Sequence, residues 1–246
     1  MKTGGVPGGV ATGLVSSAQQ IPIIIRRCVE EIERRGLDII GLYRLCGSAT
    51  KKRILREAFE RNSRSVDLTP DNVPDINVIT GVLKDFLREL PEPLFTKCLY
   101  QMMVDALGVC LPDDPEGNAK LMFSILDCLP RINRVRRNIS FETTTVIGNR
   151  NVCTVCIQAT LIFLMDHLAL VVSASDRNKM SSQNLATALA PPLMLHSVMA
   201  STSGTSVMKS AELDYAQPIG VLKYLLQIWP TPKHHSGNVP FDRTAA

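Results

Sequence analysis

Aromatic residues are scarce: Phe, Trp and Tyr make up 5% of the 246 residues, with a single tryptophan. Hydrophobic residues still reach 45%, so the core must be aliphatic, which suits helix-on-helix packing better than a β-sandwich. No convincing period-two run with turn dipeptides is present, which argues against sheet. The longest apolar stretch, residues 161–172, is broken by Asp166 and His167 and is too short to span a bilayer. The first twenty residues lack a sustained apolar core, so no signal peptide is expected. An excess of one charge is also missing. The balance of 27 basic and 23 acidic residues leaves +4, too mild to point to nucleic acid.

Paired cysteine motifs are nearly absent. The seven cysteines are odd in number and scattered, several of them (Cys28, Cys98, Cys128) in apolar surroundings. They read as reduced thiols of a cytosolic protein. Cys153 and Cys156 form the one C-x-x-C, with no second pair or histidine cluster at zinc spacing, so no metal site is expected. His167, His196, His234 and His235 show no nucleophile or ligand spacing. Gly204-Thr-Ser-Val-Met-Lys-Ser imitates a phosphate-binding loop, but Met208 stands where the second glycine is required and no strand precedes it. The chain is therefore not expected to bind nucleotide alone, and no cofactor is expected.

What is there is helical spacing. Pro22 suits a helix start, followed by Ile25, Cys28, Val29 and Ile32 on one face and Gly36 as a stop. Ser48 can cap a second helix with Ile54, Leu55, Ala58 and Phe59 inward. Asp75 can cap a third, with an apolar stripe of Ile76, Ile79, Leu83, Phe86, Leu87 and Leu90 ended by Pro91. On that helix Lys84 and Arg88 stack on one stripe, with Asn77 and Gly81 on the same polar side. Further helices fit residues 97–107, 116–129, 160–172, 182–189 (capped by Ser181, stopped by Pro191-Pro192) and 219–229. The expected fold is an all-α multi-helix bundle without internal repeats. Residues 1–20, 197–210 and 231–246 read as an unstructured or mis-assigned start, a flexible loop and a frayed tail.

Gly41-Leu42-Tyr43-Arg44-Leu45-Cys46-Gly47-Ser48 places one arginine on a loop bounded by glycines, between two helices. Such a cation is presented outward. With Leu83-Lys84-Asp85-Phe86-Leu87-Arg88-Glu89-Leu90-Pro91-Glu92-Pro93 and Asn184-Leu185-Ala186, it resembles the signature of a Rho GTPase-activating (RhoGAP) domain. The resemblance covers residues 21–134 and 159–230 and is strongest to the synapse-defective (Syd-1) type. It implies that Arg44 is an arginine finger inserted into a GTP-loaded Rho-family partner. It also implies that Lys84 and Arg88 help hold the finger loop and the partner's switch regions, and that Asn184 contacts the partner. Arginine suits that role because its planar guanidinium stays charged and bonds two oxygens at once. On this reading the chain is an activator supplying charge in trans, a monomer that neither inserts into a membrane nor binds nucleic acid. It would work in the cytoplasm, brought to the plasma membrane or synapse by other domains of a longer protein. The alternative is a GTPase-binding or scaffold module without turnover.

Residues 135–158 fit this pattern badly, carrying β-branched residues without helical period. In the sequences this chain resembles, Asn133-Arg134 runs almost directly into Ala159-Thr160-Leu161. The segment opens with valine, whose codons begin GT, and closes with glutamine, which CAG encodes. These are the terminal signals of an intron, and the segment is read as one retained in the coding sequence. Sequencing the mature transcript is expected to find these codons spliced out. A message that contains them makes the segment a genuine surface insertion.

Overall fold

The computed structural model describes residues 21–127, 154–195 and 215–230. Among the described residues every regular element is a helix: α1 (Ile23–Arg35), α2 (Ala49–Asn62), α3 (Ile76–Arg88), α4 (Lys97–Val109), α5 (Pro115–Asp127), α6 (Thr154–Ser173), α7 (Ser175–Asn178), α8 (Ser182–Met194) and α9 (Ala216–Ile228). The all-α expectation holds. Segments 1–20, 197–210 and 231–246, and most of 135–158, lie outside the described residues.

The caps expected at Ser48, Asp75 and Ser181 are present, and Thr96 supplies a further one. The Ser48 hydroxyl accepts from Lys51 N, the Asp75 carboxylate from Asn77 N, Thr96 Oγ1 from Leu99 N and the Ser181 hydroxyl from Asn184 N. Each satisfies an N–H that the first helical turn leaves open. At the other end of α1, Gly36 N donates to Ile32 O at 2.7 Å.

The centre of the bundle is α3. It packs against α1, α2 and α8, and Ile76, Val78, Ile79, Thr80, Gly81, Val82, Leu83, Lys84 and Leu87 are all buried. Helix α8 packs most extensively on α9, while α4 lies against α5 and α9. The two polar residues that break the apolar run of α6 are both engaged. Asp166 Oδ1 accepts from Trp229 Nε1 at 2.8 Å, joining α6 to the end of α9, and His167 pairs with Glu33 of α1.

The helices depart from the sequence reading most clearly in four places. Ile54, expected inward, is 54% exposed, because α2 buries only the narrow stripe of Leu55 and Phe59. Helix α6 begins at Thr154, six residues before the expected start, and Ile157, within the atypical segment, joins the core. The short α7 was not anticipated. Helix α8 runs through Pro191 and Pro192 to Met194 instead of stopping before them. A proline's fixed φ is itself helical, and what it removes is one N–H and the clash-free fit of the preceding turn. Here Pro192, Leu193 and Met194 are buried, and their packing outweighs that local cost. The extra turn is used: Leu193 O accepts from Phe95 N at 3.0 Å, seating the chain that follows Pro91-Glu92-Pro93.

The two sides of α2 should respond differently to truncation. Phe59→Ala empties a fully buried site and is expected to cost about 3–5 kcal/mol. Ile54→Ala on the exposed side should stay within about 0.5 kcal/mol of the parent. Urea unfolding of both variants checks this, and comparable losses would contradict the placement of α2.

Candidate functional site

Residues 36–48 leave α1, turn twice and enter α2. Ile39 N donates to Gly36 O and Leu42 N to Ile39 O, forming the first turn. Gly41 makes the second. Its φ of +76° lies in the left-handed region that a residue without Cβ enters at no steric cost. Its carbonyl accepts from both Arg44 N and Leu45 N at 2.9 Å, and its N–H donates to Asn178 O at 2.8 Å. The loop leaves over the start of α3, where Gly47 passes so close that a Cβ would sit 2.5 Å from Val78 N.

Between these glycines Tyr43 also has positive φ, +67°. For a bulky residue this is uncommon and costs on the order of 1–3 kcal/mol. Three contacts hold it there. Its ring is buried, 1% exposed, edge-on to the His167 imidazole. Its hydroxyl lies 2.6 Å from His167 Nε2, and His167 Nδ1 lies 2.9 Å from Glu33 Oε1. Its carbonyl accepts from Lys84 Nζ at 2.5 Å. Burial, reinforced by Cys28 and Glu33, pushes the phenol pKa well above its ordinary value, so the hydroxyl remains a donor. Phenol donating to Nε2, with Nδ1–H donating to Glu33, pairs all three groups.

Arg44 follows directly and is exposed. Among the described arginines, Arg44 and Arg64 have guanidinium groups with no hydrogen bond or ion pair, while the others are tied to carboxylates or carbonyls. The Arg64 backbone is held as well, its carbonyl accepting from Arg27 Nη1 and its N–H donating to Asn62 Oδ1; Arg44 differs in standing on the glycine-bounded loop, next to the buried Tyr43.

The other residues singled out from the sequence are placed unequally. Lys84, expected on a polar face, is 7% exposed and reaches beneath the loop to the Tyr43 carbonyl. Burial pulls its pKa below the ordinary lysine value. Gly81 on the same stripe is also buried, because α2 covers it: a Cβ there would meet the Lys52 side chain at 2.4 Å. Arg88 is exposed one turn further along and donates to Asp85 Oδ1 at 2.9 Å, while Lys52 Nζ holds Asp85 Oδ2 at the same distance. The one hydrogen-bond partner of Arg88 among the described residues is Asp85, not the loop. Asn184 is exposed in the first turn of α8, and its Nδ2 donates to Lys179 O at 3.2 Å.

Asn178, the last residue of α7, links α6 to the loop and was not singled out from sequence. It is fully buried. Its Nδ2 donates to Leu37 O and Val171 O, its Oδ1 accepts from Met180 N and its carbonyl from Gly41 N. His167 and Glu33 were likewise not identified as site residues. The available signal was polar side chains inside apolar runs, which demand buried partners.

The RhoGAP domain model matches residues 22–136 and 154–198. The chain belongs to the RhoGAP family. The break in the match falls within the atypical segment 135–158. The chain is 68% identical over 213 residues to Rho GTPase-activating protein 100F of Drosophila melanogaster, covering 87% of this chain and 10% of that protein. It is 42% identical over 219 residues to human Rho GTPase-activating protein SYDE1, covering 87% and 26%. Rho GTPase-activating protein syd-1 of Caenorhabditis briggsae is 37% identical, covering 85% and 20%. The chain thus spans only about a tenth to a quarter of these relatives. The crystal structure of human Rho GTPase activating protein 15 shares the fold, with a TM-score of 0.63 at 24% identity over 86% of this chain and 85% of that one.

Removing the phenol oxygen should expose the clamp energetically. Tyr43→Phe leaves His167 Nε2 without its 2.6 Å partner in the core and is expected to cost about 1–3 kcal/mol. Chemical unfolding measures this, and a variant as stable as the parent would rule out a strong hydroxyl–imidazole bond.

Proposed function

We propose that this RhoGAP domain accelerates GTP hydrolysis by a GTP-bound Rho-family GTPase, with Arg44 as the arginine finger. The observation that carries this reading is a guanidinium left free at the end of a backbone fixed by Lys84, His167 and Asn178. Hydrolysis spreads negative charge over the transferring phosphoryl group. A cation delivered in trans lowers that barrier, an effect worth roughly 10³–10⁵ in rate for small GTPases. The fixed root means that little loop ordering remains to be done on docking, so binding energy is spent on the transition state.

In this reading Lys84 positions the finger through the Tyr43 carbonyl. Arg88 and Asn184, both exposed on neighbouring helices, contact the partner's switch regions beside the inserted arginine. The domain is an activator and uses the partner's nucleotide. It acts in the cytoplasm as a monomer, and other domains of a longer protein bring it to the plasma membrane or synapse. Among the described residues no helix is long and apolar enough to cross a membrane.

Single-turnover phosphate release from GTP-loaded Rho and Rac proteins tests the proposal. The intact chain is expected to accelerate release by orders of magnitude. Arg44→Ala should still bind the partner while losing about 10³-fold or more of that acceleration. If the folded parent binds without accelerating release, the domain is a binding module and Arg44 is no finger.

A further inference from the structure

Nine large hydrophobic side chains are exposed among the described residues, and three of them, Ile39 (41%), Ile40 (59%) and Leu45 (47%), fall within the loop that carries Arg44. Scattered apolar residues on a surface need no explanation; three on one short loop around a free cation do. They are also held in place. Leu45 lies over the backbone of Gly41, where an added Cβ would meet its Cγ at 2.8 Å and its Cδ1 at 3.0 Å. Leu45 N and Arg44 N share the Gly41 carbonyl, and Leu42 N closes the turn onto Ile39 O. The outer edge is pinned by an ion pair from Asp38 Oδ1 to Arg177 Nε of α7 at 3.0 Å. These side chains have therefore not been left to collapse into the core. The loop presents them on either side of Arg44 in sequence, in a conformation set by the same contacts that set the finger.

We propose that Ile39, Ile40 and Leu45 form an apolar collar that docks on the protein surface bordering the phosphate cleft of the GTP-loaded partner, sealing the cleft around Arg44. This rests on the finger reading above and adds a binding function to residues that it leaves unused. The occupant is a partner whose surface there is apolar or aromatic side chain flanking an anionic centre. Two features of the loop select it: the collar is continuous with the finger, and its one central charge is positive. A guanidinium and a phosphate in contact with bulk water attract weakly. Excluding water from around them lowers the local dielectric and strengthens the same contact. A collar that closes as the arginine enters supplies that exclusion, together with the affinity of apolar surface removed from water.

The test separates docking from chemistry. Ile40→Ser and Leu45→Ser are compared with Val109→Ser, whose parent side chain is 65% exposed at the end of α4, a helix that packs against α5 and α9. Steady-state acceleration of GTP hydrolysis is measured against GTP-loaded Rho concentration, with unfolding curves for each variant. The collar variants are expected to raise KM about tenfold each, the affinity equivalent of burying most of one aliphatic side chain. They should also lower kcat at saturation by at least about twofold, because water then reaches the guanidinium–phosphate contact, and Val109→Ser should match the parent. Leu45→Met, which keeps the apolar volume, should restore the parental KM. Parental KM in both serine variants overturns the proposal, as does an equal rise in Val109→Ser or a fall in kcat without a change in KM. If the parent itself does not accelerate hydrolysis, the finger reading fails separately. The collar then stands or falls on whether the same variants weaken binding to Rho loaded with a non-hydrolysable GTP analogue.

Discussion

The structure depends on holding one backbone residue where it would not rest by itself. Tyr43 has φ +67° without being glycine, and the groups that keep it there, directly or through a relay, come from three helices. Helix α1 supplies Glu33, α3 supplies Lys84 and α6 supplies His167. Glu33 and His167 are separated by 134 positions, so only the assembled bundle brings them under the loop. A strained residue persists when its surroundings over-determine it. Here His167 meets both the ring and the hydroxyl, and Lys84 holds the carbonyl. The burial of most of α3 fits the same requirement, since Lys84 can reach the carbonyl from below only if its helix runs beneath the loop.

Rigidity at the root and freedom at the tip divide the labour. Gly41 and Tyr43 are fixed by Asn178, His167 and Lys84, while the Arg44 side chain has no partner among the described residues. An arginine carries about 2 kcal/mol of rotamer entropy, which is lost when it is captured. Ordering a flexible loop as well would add about 1–2 kcal/mol for each backbone residue. The clamp has already met that second cost during folding. The collar extends the same economy to affinity, because Ile39, Ile40 and Leu45 are pre-placed by the turns that aim the arginine.

Much of this was legible in the sequence, and what was missed shares a physical cause. Helix existence, the Ser48, Asp75 and Ser181 caps and the outward Arg44 all rest on interactions within a few residues of chain, which a sequence displays directly. The inward placement of Lys84 was not legible, because periodicity shows which face of a helix is polar but not whether another helix covers it. Gly81 carried a hint, since a residue with no side chain on that stripe lets Lys52 lie across it. Ile54 erred in the other direction: its apolar character promised burial, but α2 sits at the periphery and buries only one stripe. Pro191 and Pro192 gave a true local preference that tertiary packing overrode. Asn178 and His167 were invisible as site residues because their partners come from remote segments, although a histidine inside an apolar run already implied one.

The distribution of charge explains why the loop favours an anionic partner. On the outer side of α3, Asp85 shares its carboxylate between Lys52 and Arg88, so one negative charge answers two positive ones. Beneath the loop, Lys84 has as its hydrogen-bond partner a carbonyl dipole, not a carboxylate. The burial-driven fall in its pKa has the sign expected of a cation that is desolvated without full ionic compensation. A carboxylate in place of the Tyr43 carbonyl would hold the ammonium more strongly but cancel its field. The arrangement instead spends Lys84 on geometry while leaving its charge, with that of Arg44, uncancelled at the loop. The site is thus electrostatically unfinished as an isolated molecule, and an anion arriving between the collar residues completes it.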